Sequence, residues 1–89
     1  MKYVRFTYYC GGYPGYKDEE YFEFEDGVFN DWDLDRMVSE GSDMHAEQYD
    51  HRFNFSTEKD FENYYKDARD RSYWEYITEE EYMENTYEK

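Results

Sequence analysis

Lys2-Tyr3-Val4-Arg5-Phe6-Thr7-Tyr8-Tyr9-Cys10 is the stretch that decides the fold. Val4, Phe6, Tyr8 and Cys10 fall on one face, and Tyr3, Arg5, Thr7 and Tyr9 on the other. β-Branched and aromatic residues at period two predict a strand. Gly11, Gly12, Pro14 and Gly15 then force a turn. Alternation resumes over 19–25, with Phe22 and Phe24 opposed to Glu23 and Glu25, and Asp26-Gly27 ends the run. The two runs read as an antiparallel hairpin opening the chain.

Working outward from the hairpin, Asn30 is a good N-cap for a helix through about Glu40, with Gly41 as its stop. Phe29 and Leu34 are placed for a hydrophobic staple, and Leu34, Met37 and Val38 form an apolar stripe. Residues 42–48 fit no single pattern. Residues 49–55 alternate through Tyr49, His51, Phe53 and Phe55 and predict a third strand. Ser56 or Thr57 caps a second helix to about Asp70, with Phe61, Tyr64, Tyr65 and Ala68 as its buried stripe. Ser72–Ile77 reads as a fourth strand. Thr78 and Glu81 form a capping box for a C-terminal helix that turns Tyr82, Met83 and Thr86 inward.

The expected architecture is one acidic α+β domain over 1–89, in ββαβαβα order. It has a small sheet of about four strands, with the N-terminal β-hairpin and two to three helices packed on one face. If strands three and four are parallel, the helix between them makes a right-handed crossover. A chain of 89 residues buries about 60–65% of its unfolded surface, so the core is modest. Val, Leu and Ile number only five, namely Val4, Val28, Leu34, Val38 and Ile77. The 13 Tyr, 7 Phe and 2 Trp must therefore supply most of the core.

Charge is the strongest functional signal. The chain carries 24 Asp and Glu against 10 Lys and Arg, a formal net charge of -14. Thirteen of the acids lie within 18–50 (Asp18, Glu19, Glu20, Glu23, Glu25, Asp26, Asp31, Asp33, Asp35, Glu40, Asp43, Glu47 and Asp50), with Arg36 the single base. Such self-repulsion opposes compaction, so a reason to keep it is expected: solubility, or a partner with a strongly basic surface. Acidity disfavours direct nucleic-acid binding and anionic membranes. No apolar run is long enough to span a bilayer, no signal-peptide core is present, and one cysteine, Cys10, permits no intrachain disulfide. A reducing, cytoplasmic setting is the default.

Motifs for chemistry are weak. Asp31-Trp32-Asp33-Leu34-Asp35 opens like a calcium loop, but Arg36 and Ser42 stand where such a loop needs Gly and a bidentate Glu. A helix here would splay the three carboxylates apart. His45, His51 and Cys10 lack zinc-ligand spacing, so no metal or cofactor is expected. His45 reads as a loop residue and His51 as one among strand aromatics. Cys10 with a histidine has no visible orienting group or oxyanion loop, and the chain reads as a non-enzyme. The Gly11–Tyr16 segment lacks P-loop and dinucleotide signatures. Its Tyr13 and Tyr16 could serve as a contact tip.

What remains is acids interleaved with aromatics. Carboxylates at i and i+4 on a helix are displaced by about 6 Å along its axis. That is close to the roughly 6.8 Å rise of two phosphates along one DNA strand. A surface bearing such rows fits a groove built from Lys and Arg, with aromatics stacking on guanidinium groups. The expected contact residues are Glu23, Glu25, Asp31, Asp33, Asp35, Glu40, Asp43, Glu47 and Asp50, with Tyr13 and Tyr16. The C-terminal acids Glu79, Glu80, Glu81 and Glu84 could extend the surface. The bland alternative is an ordinary solvated face.

Through Asp18–Asp26, Asn30–Glu40 and Thr78–Glu84, the chain resembles anti-CRISPR and other DNA-mimic proteins of phages and mobile elements. The likeness is one of composition and size over the whole chain. It implies an inhibitor that occupies the basic nucleic-acid groove of a defence protein, such as an RNA-guided CRISPR nuclease complex, in the host cytoplasm. The alternative from the residues themselves is a non-enzymatic interaction module or regulator that binds through an aromatic surface.

Overall fold

A computed structural model describes residues 1–9, 17–49 and 54–86, with the side chain of Tyr49 left out. Strand β1 (Lys2–Tyr9) pairs antiparallel with β2 (Lys17–Phe24), in register from Lys2 opposite Phe24 to Tyr9 opposite Lys17. The expected hairpin is thus present. Its turn, with Cys10, Tyr13 and Tyr16, lies outside the described residues. Helices α1 (Asp31–Tyr49) and α2 (Glu58–Arg71) follow, then β3 (Tyr73–Ile77) and α3 (Glu79–Thr86).

Among the described residues the sheet has three strands, not about four, in the order β2-β1-β3, and all pairing is antiparallel. The element order is ββααβα. Of the expected third strand over 49–55, the described residues are not strand. Tyr49 ends α1, Asn54 and Phe55 are not strand, and 50–53, with His51 and Asp50, lie outside the described residues. The parallel crossover that depended on it is replaced by a β3 antiparallel to β1.

Period two in β1 sorts the molecule into two faces. Val4, Phe6 and Tyr8 point to α1 and form the core with Phe24, Leu34 and Val38, while Phe22, Phe29, Met37 and Trp74 pack around them. On the opposite face Tyr3 meets Tyr82 of α3 with ring centroids 5.0 Å apart. Arg5 on that face bridges three elements: Glu75 on β3 at 3.0 Å, Glu19 on β2 at 3.5 Å and Glu81 on α3 at 3.9 Å. The helices therefore do not share one face. The alternating residues of β1 are large on both sides, and α3 covers the second.

The helix starts are as the sequence predicts. Asn30 and Asp33 cap α1 reciprocally: Asp33 N–H donates to Asn30 Oδ1 at 2.9 Å, and Asn30 N–H to Asp33 Oδ2 at 3.0 Å. Thr57 caps α2 through Asp60 N–H, and Thr78 caps α3 through Glu81 N–H. The stop at Gly41 is not used, and α1 runs 19 residues. Ser42, His45 and Ala46 extend the inward stripe of Leu34 and Val38, and all are buried. A second, smaller core joins α1 to α2. Ala46 and Ala68 allow close approach, Tyr64 Oη donates to the Ala46 carbonyl at 2.7 Å, and Phe55 and Tyr65 pack alongside. Of the expected α2 stripe, Phe61 is instead 43% exposed. On α3, Tyr82 is half-buried, while Met83 and Thr86 are exposed.

Candidate functional site

The acid-rich segment folds onto an edge strand, β2, and a helix, α1, that share the inner face of the sheet. One flank of α1 reaches β3. There Trp74 Nε1 donates to Asp35 at 2.6 Å and Tyr76 Oη donates to Asp31 at 2.8 Å. The hydrogen bond to Asp31 raises the Tyr76 phenol above its ordinary value. Two exposed carboxylates one helical turn apart are thereby held by ring donors. No Lys or Arg among the described residues lies within ion-pair distance of either. Asp33 turns the other way, back to its cap, where it accepts from Asn30 N–H, so the three carboxylates of Asp31–Asp35 lie on a helix and not in a loop.

The other flank of α1 faces β2 across an open groove of about 300 Å³. Phe6, Phe22, Met37 and Met44 make its apolar lining, and Glu20 and Glu40 bring charge to it. At this flank sits a cluster that spacing in sequence conceals. Asp18 and Glu20 alternate on the inner face of β2, opposite Tyr8 and Phe6. His45 arrives from α1 and stacks on Tyr8, with centroids 4.4 Å apart and planes 18° apart. Its Nε2 lies 3.1 Å from Glu20 Oε1, and its Nδ1 lies 3.3 Å from Asp18 Oδ2. Burial, with Glu20 and Asp18 adding negative potential, raises the Tyr8 phenol above its ordinary value and keeps it protonated.

The other expected contact residues divide. Asp43 is engaged by Arg69 at 2.8 Å. Glu23, Glu25, Glu40 and Glu47 are exposed. Asp50, Tyr13 and Tyr16 lie outside the described residues. Sequence reasoning placed His45 in a loop and so missed its cluster. The usable signal was the run of Leu34, Val38, Ser42 and His45, which keeps helical spacing straight through Gly41.

Among the described residues no helix is long and apolar enough to cross a membrane. Comparison of the chain with known protein families, curated proteins and solved structures finds no match.

Proposed function

We propose that this protein is a non-enzymatic inhibitor that offers carboxylates in place of nucleic-acid phosphates to a basic, nucleic-acid-binding protein. A defence protein such as an RNA-guided CRISPR effector is the target class. The observation that carries the reading is the pair Asp31 and Asp35, held by Tyr76 and Trp74, with no Lys or Arg partner among the described residues. Their displacement of about 6 Å along the helix is near the roughly 6.8 Å rise over two phosphate steps of one DNA strand. Pre-oriented side chains lose less entropy on binding than free ones. The groove beside Glu20 and Glu40 adds a second element of complementarity. Its apolar lining suits the stem of an Arg or Lys, and its glutamates suit the charged head.

The test is capture of a partner from bacterial lysate at low and high salt, followed by competition with DNA or RNA. Binding is expected to weaken steeply with salt and to be displaced by nucleic acid. Asp31→Lys with Asp35→Lys is expected to abolish it. Glu58→Lys with Glu62→Lys on α2, an equal change in net charge, is expected to weaken it only modestly. Equal loss in both doubles would reduce the effect to net charge and remove the mimicry argument.

A second reading is an adaptor or regulator that binds through aromatic surface. Trp32 and Met44, 66% and 65% exposed on α1, favour it. It predicts salt-tolerant binding lost in Trp32→Ala.

A further inference from the structure

The geometry points to a divalent transition-metal site, of the kind zinc occupies, formed by Asp18, Glu20 and His45 between β2 and α1. It does not depend on the inhibitor reading above. One ligand atom from each of the three residues lies within 4.8 Å of the others. The histidine supplies the stronger argument. His45 is 8% exposed, and its two ring nitrogens each face a carboxylate oxygen. A neutral imidazole has one N–H. The 3.1 Å contact from Nε2 to Glu20 Oε1 is a hydrogen bond and uses it. Nδ1 is then a buried lone pair with no hydrogen-bond partner, aimed at the Asp18 carboxylate 3.3 Å away. A buried nitrogen lone pair facing a half-exposed carboxylate oxygen calls for a cation between them.

The arrangement matches how metal-binding histidines are held. A carboxylate on the far ring nitrogen fixes the tautomer and makes the near nitrogen a better donor. Glu20 fills that role, leaving Nδ1 and Asp18 as direct ligands. For bonds of roughly 2.0–2.2 Å around a tetrahedral ion, adjacent N and O ligands stand roughly 3.3–3.5 Å apart. The Nδ1–Oδ2 separation of 3.3 Å fits that edge. Imidazole selects a transition metal over calcium or magnesium, which prefer all-oxygen shells. Tyr8 stacked on the ring holds its plane, and Asp18, with its side chain 48% exposed, leaves a path for the ion.

The rival occupant is a proton, which would make His45 an imidazolium bridging both carboxylates. Zinc titration of the full chain by calorimetry, in physiological salt with millimolar magnesium to occupy non-specific acids, separates the two. One zinc ion per chain is expected, with perturbation of the His45 ring nitrogens in NMR spectra. Asp18→Asn and His45→Gln are each expected to weaken binding at least tenfold. Glu20→Gln, which still accepts the Nε2–H, is expected to weaken it less. Glu23→Gln with Glu25→Gln should leave it unchanged. If His45→Gln fails to fold, Asp18→Asn, at a half-exposed position, decides alone. No stoichiometric binding by the native chain, or binding undiminished in Asp18→Asn, would overturn the site.

Discussion

Thr7 shows how one residue can carry a cost that its neighbours conceal. It lies on the α3 side of β1, is 1% exposed, and its hydroxyl has no hydrogen-bond partner among the described residues. A buried, unpaired polar group typically costs about 1–3 kcal/mol. Valine keeps the β-branched shape that suits a central strand and removes the hydroxyl. Thr7→Val is therefore expected to stabilise the protein by about 1 kcal/mol, read as a raised denaturant midpoint with unchanged slope. A lower midpoint would show that the hydroxyl is satisfied. The contrast with His45 is instructive. Both carry an unpartnered buried polar atom, but the charged residue opposite Thr7 in the sheet, Glu19, is engaged by Arg5, whereas His45 Nδ1 faces the Asp18 carboxylate 3.3 Å away. Only the second arrangement suggests a ligand.

At the scale of elements, the question is why α1 passes through Gly41 when its sequence invites a stop. The answer lies in what occupies the space of the missing side chain. A Cβ at Gly41 would stand 2.5 Å from Tyr8 Oη and 2.7 Å from Tyr8 Cε1 and Cζ. Glycine here serves close approach of α1 to β1. The only glycine among the described residues with positive φ is Gly27, just after β2. Alanine would gain about 1 kcal/mol in helix propensity. Overpacking against Tyr8, 3% exposed and stacked on His45, costs about 1–3 kcal/mol. Gly41→Ala is thus expected to lower the melting temperature by several degrees. Combined with Tyr8→Leu, its added penalty should shrink, because the clash is gone. An unchanged penalty in the double mutant would separate Gly41 from Tyr8. The same region shows where sequence reading stops. Caps at Asn30, Thr57 and Thr78 and the period of β1 are local, so they were legible. The continuation of α1 and the placing of α3 on the second face depend on partners distant in the chain. Tyr8, Ala68 and Arg5 supply those contacts. The acidic rows could be read directly, but which acids are engaged could not. Asp43 finds Arg69 26 positions away, and Asp31 finds Tyr76 45 positions away.

At the scale of the whole molecule, charge and stability pull against each other. A net charge of -14 is carried by a chain whose described ion pairs gather at a few places. Arg5 joins Glu19, Glu75 and Glu81, and Arg69 joins Asp43. The radius of gyration, 14.8 Å, exceeds the roughly 12 Å of a compact chain this long. An elongated body spreads like charges further apart. Salt acts on both terms. Exposed ion pairs are worth about 0–1 kcal/mol each and weaken when screened. The repulsion among acids on β2, α1 and α3 is more extensive, and a Debye length of about 10 Å at 0.1 M screens it too. Screening should therefore favour the native state, and the melting temperature is expected to rise by several degrees between about 20 mM and 0.5 M sodium chloride. Differential scanning calorimetry at neutral pH checks this, and a fall would mean that the ion pairs dominate. The sign matters for function as well. Binding to a basic partner is expected to fail across the same range in which the protein becomes more stable. Loss of binding with a rising melting temperature is electrostatic release from an intact surface. Loss of both together would mean that salt had unfolded the surface before its charge could be judged.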